Sequence, residues 1–139
     1  MECRFCDIDT TGKQRVYEVR ERVVVIFSNP RFMPGHLLVI PKRHVTHLSE
    51  LSGEERKELF DTAIELQSRI LEKAASGCDL KQHDRSFLPE SDLKVNHVHL
   101  HLQPREPEDE LYTEGQIHER KLFKPLLDEE VEKYKKLLL

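Results

Sequence analysis

The stretch His97-Val98-His99-Leu100-His101-Leu102 determines how the rest of this chain is interpreted. Histidine and apolar residues alternate in it without a break, which is typical of a β-strand with two different faces. We predict a strand over 95–102, with the histidines on one face and Val98, Leu100 and Leu102 packed on the core. Neighbours on one face of a strand lie about 6.5–7 Å apart, so the imidazoles should line one surface.

The alternating histidines allow three interpretations. A single histidine on a strand is ordinarily a solvated polar residue, but strict alternation opposite an apolar face makes that interpretation weak. His-x-His on a strand can bind zinc. An imidazole can also attack a phosphorus atom while neighbouring histidines donate hydrogen bonds to phosphate oxygens. The last two interpretations both predict a functional site here.

Length and composition restrict the class of protein. The 139 residues predict a single domain. Apolar residues make up 37% and charged residues 35% of the chain, which is within the globular range. The formal net charge of −4 disfavours a nucleic-acid partner, because such proteins usually carry a basic surface. A small nucleotide as ligand remains compatible with this net charge, since it needs only a local anion pocket.

The N-terminus and the cysteines indicate the cellular location of the protein and a metal-binding site. No apolar run reaches the length of a membrane span, and the first residues do not form a signal peptide, so we expect no membrane partner and a cytoplasmic location. Three cysteines do not suggest a disulfide framework. Cys3 and Cys6 form a Cys-x-x-Cys pair, for which metal binding is favoured over redox chemistry because no strand precedes it. Cys78 is expected to be a small buried residue.

Periodicity predicts the remaining elements. Strands are expected over 16–19, 23–27, 36–40 and 78–84, and the third of these should end at Pro41. Ser52 and Glu55 form a capping box that begins a helix running to about Ala75, with Gly77 as its stop. The apolar face of this helix is expected to comprise Leu59, Phe60, Ala63, Ile64, Leu66, Ser68, Ile70 and Leu71. Residues 104–122 should be irregular, and a short second helix should cover 126–138.

These elements predict an α+β fold with a mainly antiparallel sheet of about five strands. One long helix and a short C-terminal helix complete it. His47 and His118 are expected at the surface, and His83 is expected to be structural.

Three segments resemble the histidine triad (HIT) family. Residues 97–103 are similar to its His-φ-His-φ-His-φ-φ signature, where φ is an apolar residue, although Gln103 occupies the last position. Residues 34–44, Pro-Gly-His-Leu-Leu-Val-Ile-Pro-Lys-Arg-His, resemble its second segment, and Cys3-Arg4-Phe5-Cys6 resembles the N-terminal knuckle of its zinc-bearing branch. Together they cover most of residues 1–104 and leave 105–139 as a divergent C-terminal segment. The resemblance implies a HIT-like fold and a homodimer.

The resemblance also implies roles for single residues. His99 matches the nucleophile that attacks the α-phosphorus and forms a covalent nucleotidyl-histidine. His101 matches the histidine that contacts the phosphate or leaving group, and His36 matches an upstream histidine that supports the triad. The implied ligands of a structural zinc ion form a Cys₂His₂ set, namely Cys3, Cys6, His44 and His97.

The chain departs from the family where substrate is bound. The usual Gly-Gln-Ser/Thr segment is replaced by residues 88–96, so Lys94 stands where a phosphate-binding hydroxyl is usual, and Ser91 is a second candidate. Ser28 occupies the ribose-contact position, and Asn29 follows it as the better candidate. Candidates for the slot that holds the base are Phe5, Ile26 and Phe27.

The leading functional prediction is a nucleotide hydrolase acting at the α-phosphorus of a nucleoside phosphoramidate or dinucleoside polyphosphate. Nucleotidyl transfer or phosphorolysis is a second enzymatic interpretation, although the transferase branch usually carries glutamine at the position of His101. A third interpretation is a zinc-stabilised nucleotide-binding protein with little turnover, and the missing Gly-Gln segment favours it.

Overall fold

A five-stranded antiparallel sheet organises the first part of the chain. The structure is a computed structural model that describes residues 3–139. The sheet has the order β1-β2-β3-β5-β4 and every neighbouring pair is antiparallel. The strands are β1 (Val16–Val19), β2 (Val23–Phe27), β3 (Leu37–Pro41), β4 (Gly77–Lys81) and β5 (Leu100–Arg105).

The sheet confirms the predicted α+β class and the predicted strand number. β1 and β2 match the expected bounds, whereas β3 begins one residue later than expected and includes Pro41 as its last residue. β4 is shorter than the predicted 78–84 and already includes Gly77. Gly77 therefore begins a strand, and the prediction that it stops the helix was wrong.

The long helix α2 (Gly53–Lys73) begins at the predicted capping box. The Ser52 hydroxyl accepts a hydrogen bond from the Glu55 backbone, and the Glu55 carboxylate accepts one from the Ser52 backbone. The Arg43 guanidinium beside Glu55 lowers the pKa of that carboxyl to about 2. This ion pair ties the first turn of α2 to the segment that follows β3.

The buried face of α2 is narrower than predicted. It comprises Leu59, Thr62, Ala63, Leu66 and Ile70, with Glu55 at the N-terminal end. Ile64 and Leu71 are 55% and 48% exposed, and Ser68 is also exposed, so their assignment to the core-facing side was wrong. The spacing placed these residues near the apolar face, but the stripe that touches the sheet follows the three- and four-residue steps from 55 to 70.

Each face of the sheet packs against a different partner. Val23 and Val25 of β2 pack with α2 and with Leu100 and Leu102 of β5. The alternate residues Val24 and Ile26 point to the other face, where they pack with Phe5 and Ile8 of the N-terminal segment, together with Leu38 and Ile40 of β3. Burial on both faces explains why the sequence of β2 is continuously apolar instead of alternating.

The histidine strand begins later than predicted. β5 starts at Leu100, so residues 95–99 precede the strand instead of belonging to it. The backbone carbonyl of Pro41 accepts a hydrogen bond from the His97 ring at 2.7 Å. The Val98 backbone N–H, which would face Pro41 in the next rung of the β3–β5 ladder, instead donates to the Val45 carbonyl at 2.8 Å. Val98, Leu100 and Leu102 are nevertheless buried in the α2-facing core, as predicted.

Short elements connect the strands. The N-terminal segment contains α1 (Ile8–Thr11) and a 3-10 turn over Lys13–Arg15, and a second 3-10 turn covers Leu48–Glu50. Gly35 has a φ of 83°, and a Cβ there would lie 3.3 Å from Cγ of Pro104. Glycine is therefore required immediately before His36.

The described chain separates into two compact units, of which the first extends to Pro107 and the second covers Glu108–Leu139. The second unit contains α3 (Glu110–Glu114), a 3-10 stretch over Gln116–Leu122 and α4 (Asp128–Leu137). The short C-terminal helix is as expected, but residues 104–122 are not irregular throughout. The single domain over 1–139 stays a prediction. Among residues 3–139, no helix combines the length and apolar character needed to cross a membrane.

Candidate active site and metal cluster

A cleft of about 710 Å³ lies beside the histidine segment, on the face of the sheet that carries Leu38. Four of its histidines come from the end of the β2–β3 connection and from the segment that leads into and begins β5. These two parts of the chain are adjacent because His101 pairs with Leu38 across β3 and β5. His36, His97, His99 and His101 all line the cleft. The structure therefore brings the predicted triad and its upstream histidine to one cavity.

His36 and His101 form a directly hydrogen-bonded pair. Nδ1 of His36 accepts a hydrogen bond from the Phe32 backbone N–H at 3.2 Å. A neutral His36 then carries its proton on Nε2, which donates to Nδ1 of His101 at 2.9 Å. His101 in turn carries its proton on Nε2, so it presents a hydrogen-bond donor rather than an acceptor to a ligand in the cleft.

His99 has the opposite tautomer. Its Nδ1 lies 2.7 Å from the backbone carbonyl of His97, which can only accept a hydrogen bond, so Nδ1 carries the proton. The lone pair is therefore on Nε2, for which residues 3–139 provide no hydrogen-bond partner. The ring of Phe5 contacts the His99 ring edge-on, with centroids 5.2 Å apart, and the His101 ring lies at 4.9 Å. These contacts fix the imidazole plane beside the cleft.

Burial keeps these imidazoles neutral. It lowers the pKa of His36 to about 4 and the pKa of His101 to about 3, and the neighbouring histidines lower both values further. Burial also lowers the pKa of His99, with a contribution from the positive charge of Lys94. A neutral His99 keeps the Nε2 lone pair at neutral pH, which is the form that can act as a nucleophile.

Cys3, Cys6, His44 and His97 form a second cluster, whose four ligand atoms lie within 4.8 Å of one another. Because Nε2 of His97 donates to the Pro41 carbonyl, its lone pair is on Nδ1. That nitrogen lies 3.3 Å from Sγ of Cys3, 3.7 Å from Sγ of Cys6 and 3.2 Å from Nδ1 of His44. Tetrahedral zinc with ordinary bond lengths has ligand separations of about 3.3–3.8 Å, so the donor set and spacing fit zinc.

The predicted substrate-binding residues also line the cleft, namely Ser28, Asn29, Ser91 and Lys94. The Ser28 hydroxyl donates to the Pro30 carbonyl, whereas the Asn29 side chain has no hydrogen-bond partner among the described residues. Of the three base-slot candidates, only Phe5 lines the cleft. Ile26 is completely buried in the core, and Phe27 packs edge-on against Tyr17, so the structure contradicts both assignments.

Several residues of the cleft were not predicted as site residues. Phe32 is stacked on His36 with centroids 6.1 Å apart, and His83 contacts His101 edge-on at 5.6 Å. Arg85 donates a hydrogen bond to Nδ1 of His83. His83 therefore belongs to the cleft wall. His118 is exposed, as predicted, whereas Cys78 is half-buried and therefore less buried than predicted. His47 is also at the surface, where it forms an ion pair with Asp84 of the cleft.

The sheet, its single crossing helix and the paired buried histidines define a class of small α+β domains with a histidine-lined cleft. The HIT domain family matches residues 10–108 of the sequence. The chain therefore belongs to the HIT domain family, as the resemblance predicted.

Individual relatives agree with this assignment. The chain is 32% identical over 100 residues to the asymmetrical bis(5'-nucleosyl)-tetraphosphatase of Schizosaccharomyces pombe, covering 70% of this chain and 52% of that protein. It is 32% identical over 100 residues to a bifunctional bis(5'-adenosyl)-triphosphatase/adenylylsulfatase of Arabidopsis thaliana, covering 68% of this chain and 54% of that protein. This chain thus spans about half the length of these two curated relatives.

A solved structure agrees in fold. The zinc-bound histidine triad family protein of Mycobacterium smegmatis superposes with a TM-score of 0.65 at 28% sequence identity, and the match covers 80% of each chain.

We expect His36 and His101 to stay neutral on acidification until the pH approaches about 4 and about 3, respectively. In the unfolded chain they bind protons below about pH 6.5, so the free energy of unfolding should fall as the pH drops below that value. Histidine side-chain NMR titration measures both groups. His47 is the internal control, because its hydrogen bond to Asp84 raises its pKa above the usual value. Titration of His36 or His101 together with or above His47 would contradict this description.

Proposed function

We propose that this protein is a nucleotide hydrolase that cleaves a bond at the α-phosphorus of a nucleoside phosphoramidate or a dinucleoside polyphosphate. The observation that supports this proposal most is the tautomer of His99, whose Nδ1–H donates to the His97 carbonyl at 2.7 Å. The nucleophilic lone pair is thereby on Nε2, in a cleft lined by two further imidazoles. An imidazole fixed in this way is suited to attack phosphorus.

The proposed reaction has two balanced steps. In the first, the lone pair of His99 Nε2 forms a bond to the α-phosphorus, and the bond from phosphorus to the leaving group breaks with its electron pair. The positive charge that develops on the ring is stabilised by the His97 carbonyl, which accepts the Nδ1–H. In the second, water adds to phosphorus, the P–Nε2 bond returns its electrons to nitrogen, and the water proton passes to solvent. The leaving group takes up a proton from solvent, so the products are the nucleoside monophosphate and the protonated leaving group.

His101 and His36 support the first step by hydrogen bonding. The Nε2–H of His101 donates to an oxygen of the phosphate or leaving group, and the bond from His36 keeps that proton on the correct nitrogen. Lys94 lines the same cleft as His99, so its positive charge is suited to neutralise the phosphate. Ser91 is a second phosphate contact, and Asn29 and Ser28 are the proposed ribose contacts at the other wall of the cleft.

We also propose that Cys3, Cys6, His44 and His97 hold a structural zinc ion. The four-ligand set leaves no open position for substrate, so the ion is architectural, as closed Cys₂His₂ sites are. The His97 ring is a ligand through Nδ1, and the next-but-one residue His99 is left for chemistry. The Mycobacterium smegmatis relative that binds zinc supports this assignment.

The names of the relatives support a hydrolase more than a transferase. Both curated relatives described above act on dinucleoside polyphosphates according to their names. Phosphorolysis or nucleotidyl transfer requires phosphate or a second nucleotide in place of water, and a binding protein requires no second step.

A homodimer remains a proposal, for which the edge strands β1 and β4 offer pairing surfaces. The free thiols of the zinc site support the proposed cytoplasmic location.

Replacing His99 with alanine should abolish turnover, because the nucleophile is lost. We expect the rate of AMP release from adenosine 5'-phosphoramidate or diadenosine polyphosphates to fall at least about a thousandfold. Intact-protein mass spectrometry after rapid mixing should detect an AMP adduct on the wild type and none on His99→Ala. His118→Ala, an exposed histidine of the second unit, is the control and should resemble the wild type. Unchanged turnover in His99→Ala would exclude the mechanism, and AMP binding without an adduct or release would favour a binding protein.

Replacing Cys6 with serine should remove the metal, because a closed site depends on all of its ligands. Elemental analysis of the purified wild type is expected to give about one zinc ion per chain, and Cys6→Ser should contain a small fraction of that. Cys78→Ser is the matched control, since Cys78 is not among the four clustered residues and should leave the zinc content unchanged. Equal zinc content in Cys6→Ser and wild type would exclude this site.

A further inference from the structure

The segment that replaces the usual phosphate-binding loop folds into a tight turn. The backbone N–H of Ser91 donates to the Lys94 carbonyl at 3.1 Å, and the N–H of Lys94 donates to the Ser91 carbonyl at 3.2 Å. The Ser91 hydroxyl accepts from the Leu93 backbone at 3.2 Å. An isolated pair of this kind is marginal in water, so the turn needs support from another part of the chain.

Arg4 provides that support from the N-terminal knuckle. Its Nη2 lies 2.5 Å from the Ser91 carbonyl oxygen and 3.3 Å from that of Lys94, so one guanidinium group donates to both ends of the turn. These contacts join residues 87 and 90 positions apart in the sequence. No carboxylate of the described residues forms an ion pair with Arg4. Its charge and its Nη2 donors therefore act on this turn, and a lysine side chain, which is shorter by one bond, would place its ammonium short of the two carbonyls.

The position of Arg4 depends on the clustered cysteines. It lies between Cys3 and Cys6, and the Phe5 backbone N–H next to it donates to Sγ of Cys3 at 3.4 Å. An ion that binds both thiolates would fix the backbone from which the Arg4 side chain extends. At the other end of the connection, Lys94 lines the cleft and its charge acts on His99.

We propose that Arg4 is a positioning residue that ties the metal-binding knuckle to the Ser91–Lys94 turn and thereby holds Lys94 in the nucleotide cleft. The inference rests on the proposed function in so far as Lys94 meets a nucleotide phosphate. Arg4 itself touches no substrate in this account and acts through the turn. Metal binding and nucleotide affinity are therefore coupled through one side chain.

The connection through Arg4 affects the affinity for the nucleotide more than the rate of the chemical step. Lys94 neutralises a charge that the phosphate carries both before and during the reaction, so its contribution is to uniform binding. Loss of Arg4 allows the turn to move, which adds an entropic cost to placing the flexible Lys94 side chain on the phosphate. We therefore expect KM and the Kd for AMP to rise while kcat remains close to that of the wild type.

Hydrogen exchange tests the structural half of the proposal without any nucleotide. In the full-length protein loaded with zinc, Arg4→Ala should increase the amide exchange of residues 91–96. Arg4→Lys should behave in the same way, because its shorter side chain keeps the charge but does not reach the two carbonyls. Arg56→Ala is the matched control, because Arg56 also donates to a backbone carbonyl, that of Leu51, outside the cleft. Unchanged exchange over 91–96 in both Arg4 variants would overturn the proposal.

Nucleotide binding tests the functional half. Calorimetry with AMP should show Kd raised about three- to tenfold in Arg4→Ala and in Lys94→Ala, whereas the double variant should be no weaker than Lys94→Ala alone. Additive effects of the two substitutions would contradict action through Lys94. If neither the wild type nor any variant binds AMP while exchange at 91–96 still responds to Arg4, the proposed function fails and the Arg4 connection stands.

Metal removal completes the test. Stripping zinc with a chelator should increase exchange at 91–96 in the wild type, and the same treatment of Arg4→Ala should add little in this segment. An equal additional increase in both proteins would mean that the knuckle reaches the turn by a route other than Arg4, which would contradict the proposal.

Discussion

The hydrogen bond between Nε2 of His36 and Nδ1 of His101 is the interaction on which the arrangement of the site depends. It joins the residue before β3 to a residue of β5, and the Phe32 backbone determines its direction by donating to His36. His36 is buried and His101 is half-buried, and desolvation holds the pKa values of both rings far below the usual value, so the pair is neutral and directional at physiological pH. Protonation of His101 would remove the acceptor that this hydrogen bond needs, and protonation of His36 would remove the acceptor of the Phe32 backbone N–H.

The two faces of the sheet contribute differently to stability and chemistry. The face that carries Val23, Val25, Leu100 and Leu102 is covered by α2 and forms the larger apolar core. The opposite face combines a smaller core around Phe5 and Ile8 with the histidine cleft. Phe5 belongs to both, because its buried ring packs on the core and contacts His99 edge-on. The N-terminal knuckle thereby supports the core, the metal cluster and the His99 ring together.

Alternation and spacing predicted the strands, the cap of α2 and the fold class, because these depend on local periodicity. They did not predict that β5 begins at Leu100, since this depends on the Val98 N–H being used by the Val45 carbonyl instead of by β3. The resemblance to a family assigned the histidines to the cleft and the cysteines to the metal cluster, and the structure brings those residues together. The wall formed by Arg4, Phe32, His83 and Arg85 could not be predicted, because it assembles from separate segments whose local patterns carry no signal. The exposed Ile64 and Leu71 show a similar limit for helical spacing.

The central claim is that His99 presents a neutral imidazole with its proton on Nδ1 and its lone pair on Nε2. Long-range proton–nitrogen correlation NMR of the ¹⁵N-histidine-labelled protein at neutral pH assigns the tautomer of each ring directly. We predict an Nδ1–H tautomer for His99 and Nε2–H tautomers for His36 and His101. An Nε2–H tautomer or an imidazolium at His99 would place a proton on the attacking atom and would contradict the proposed mechanism.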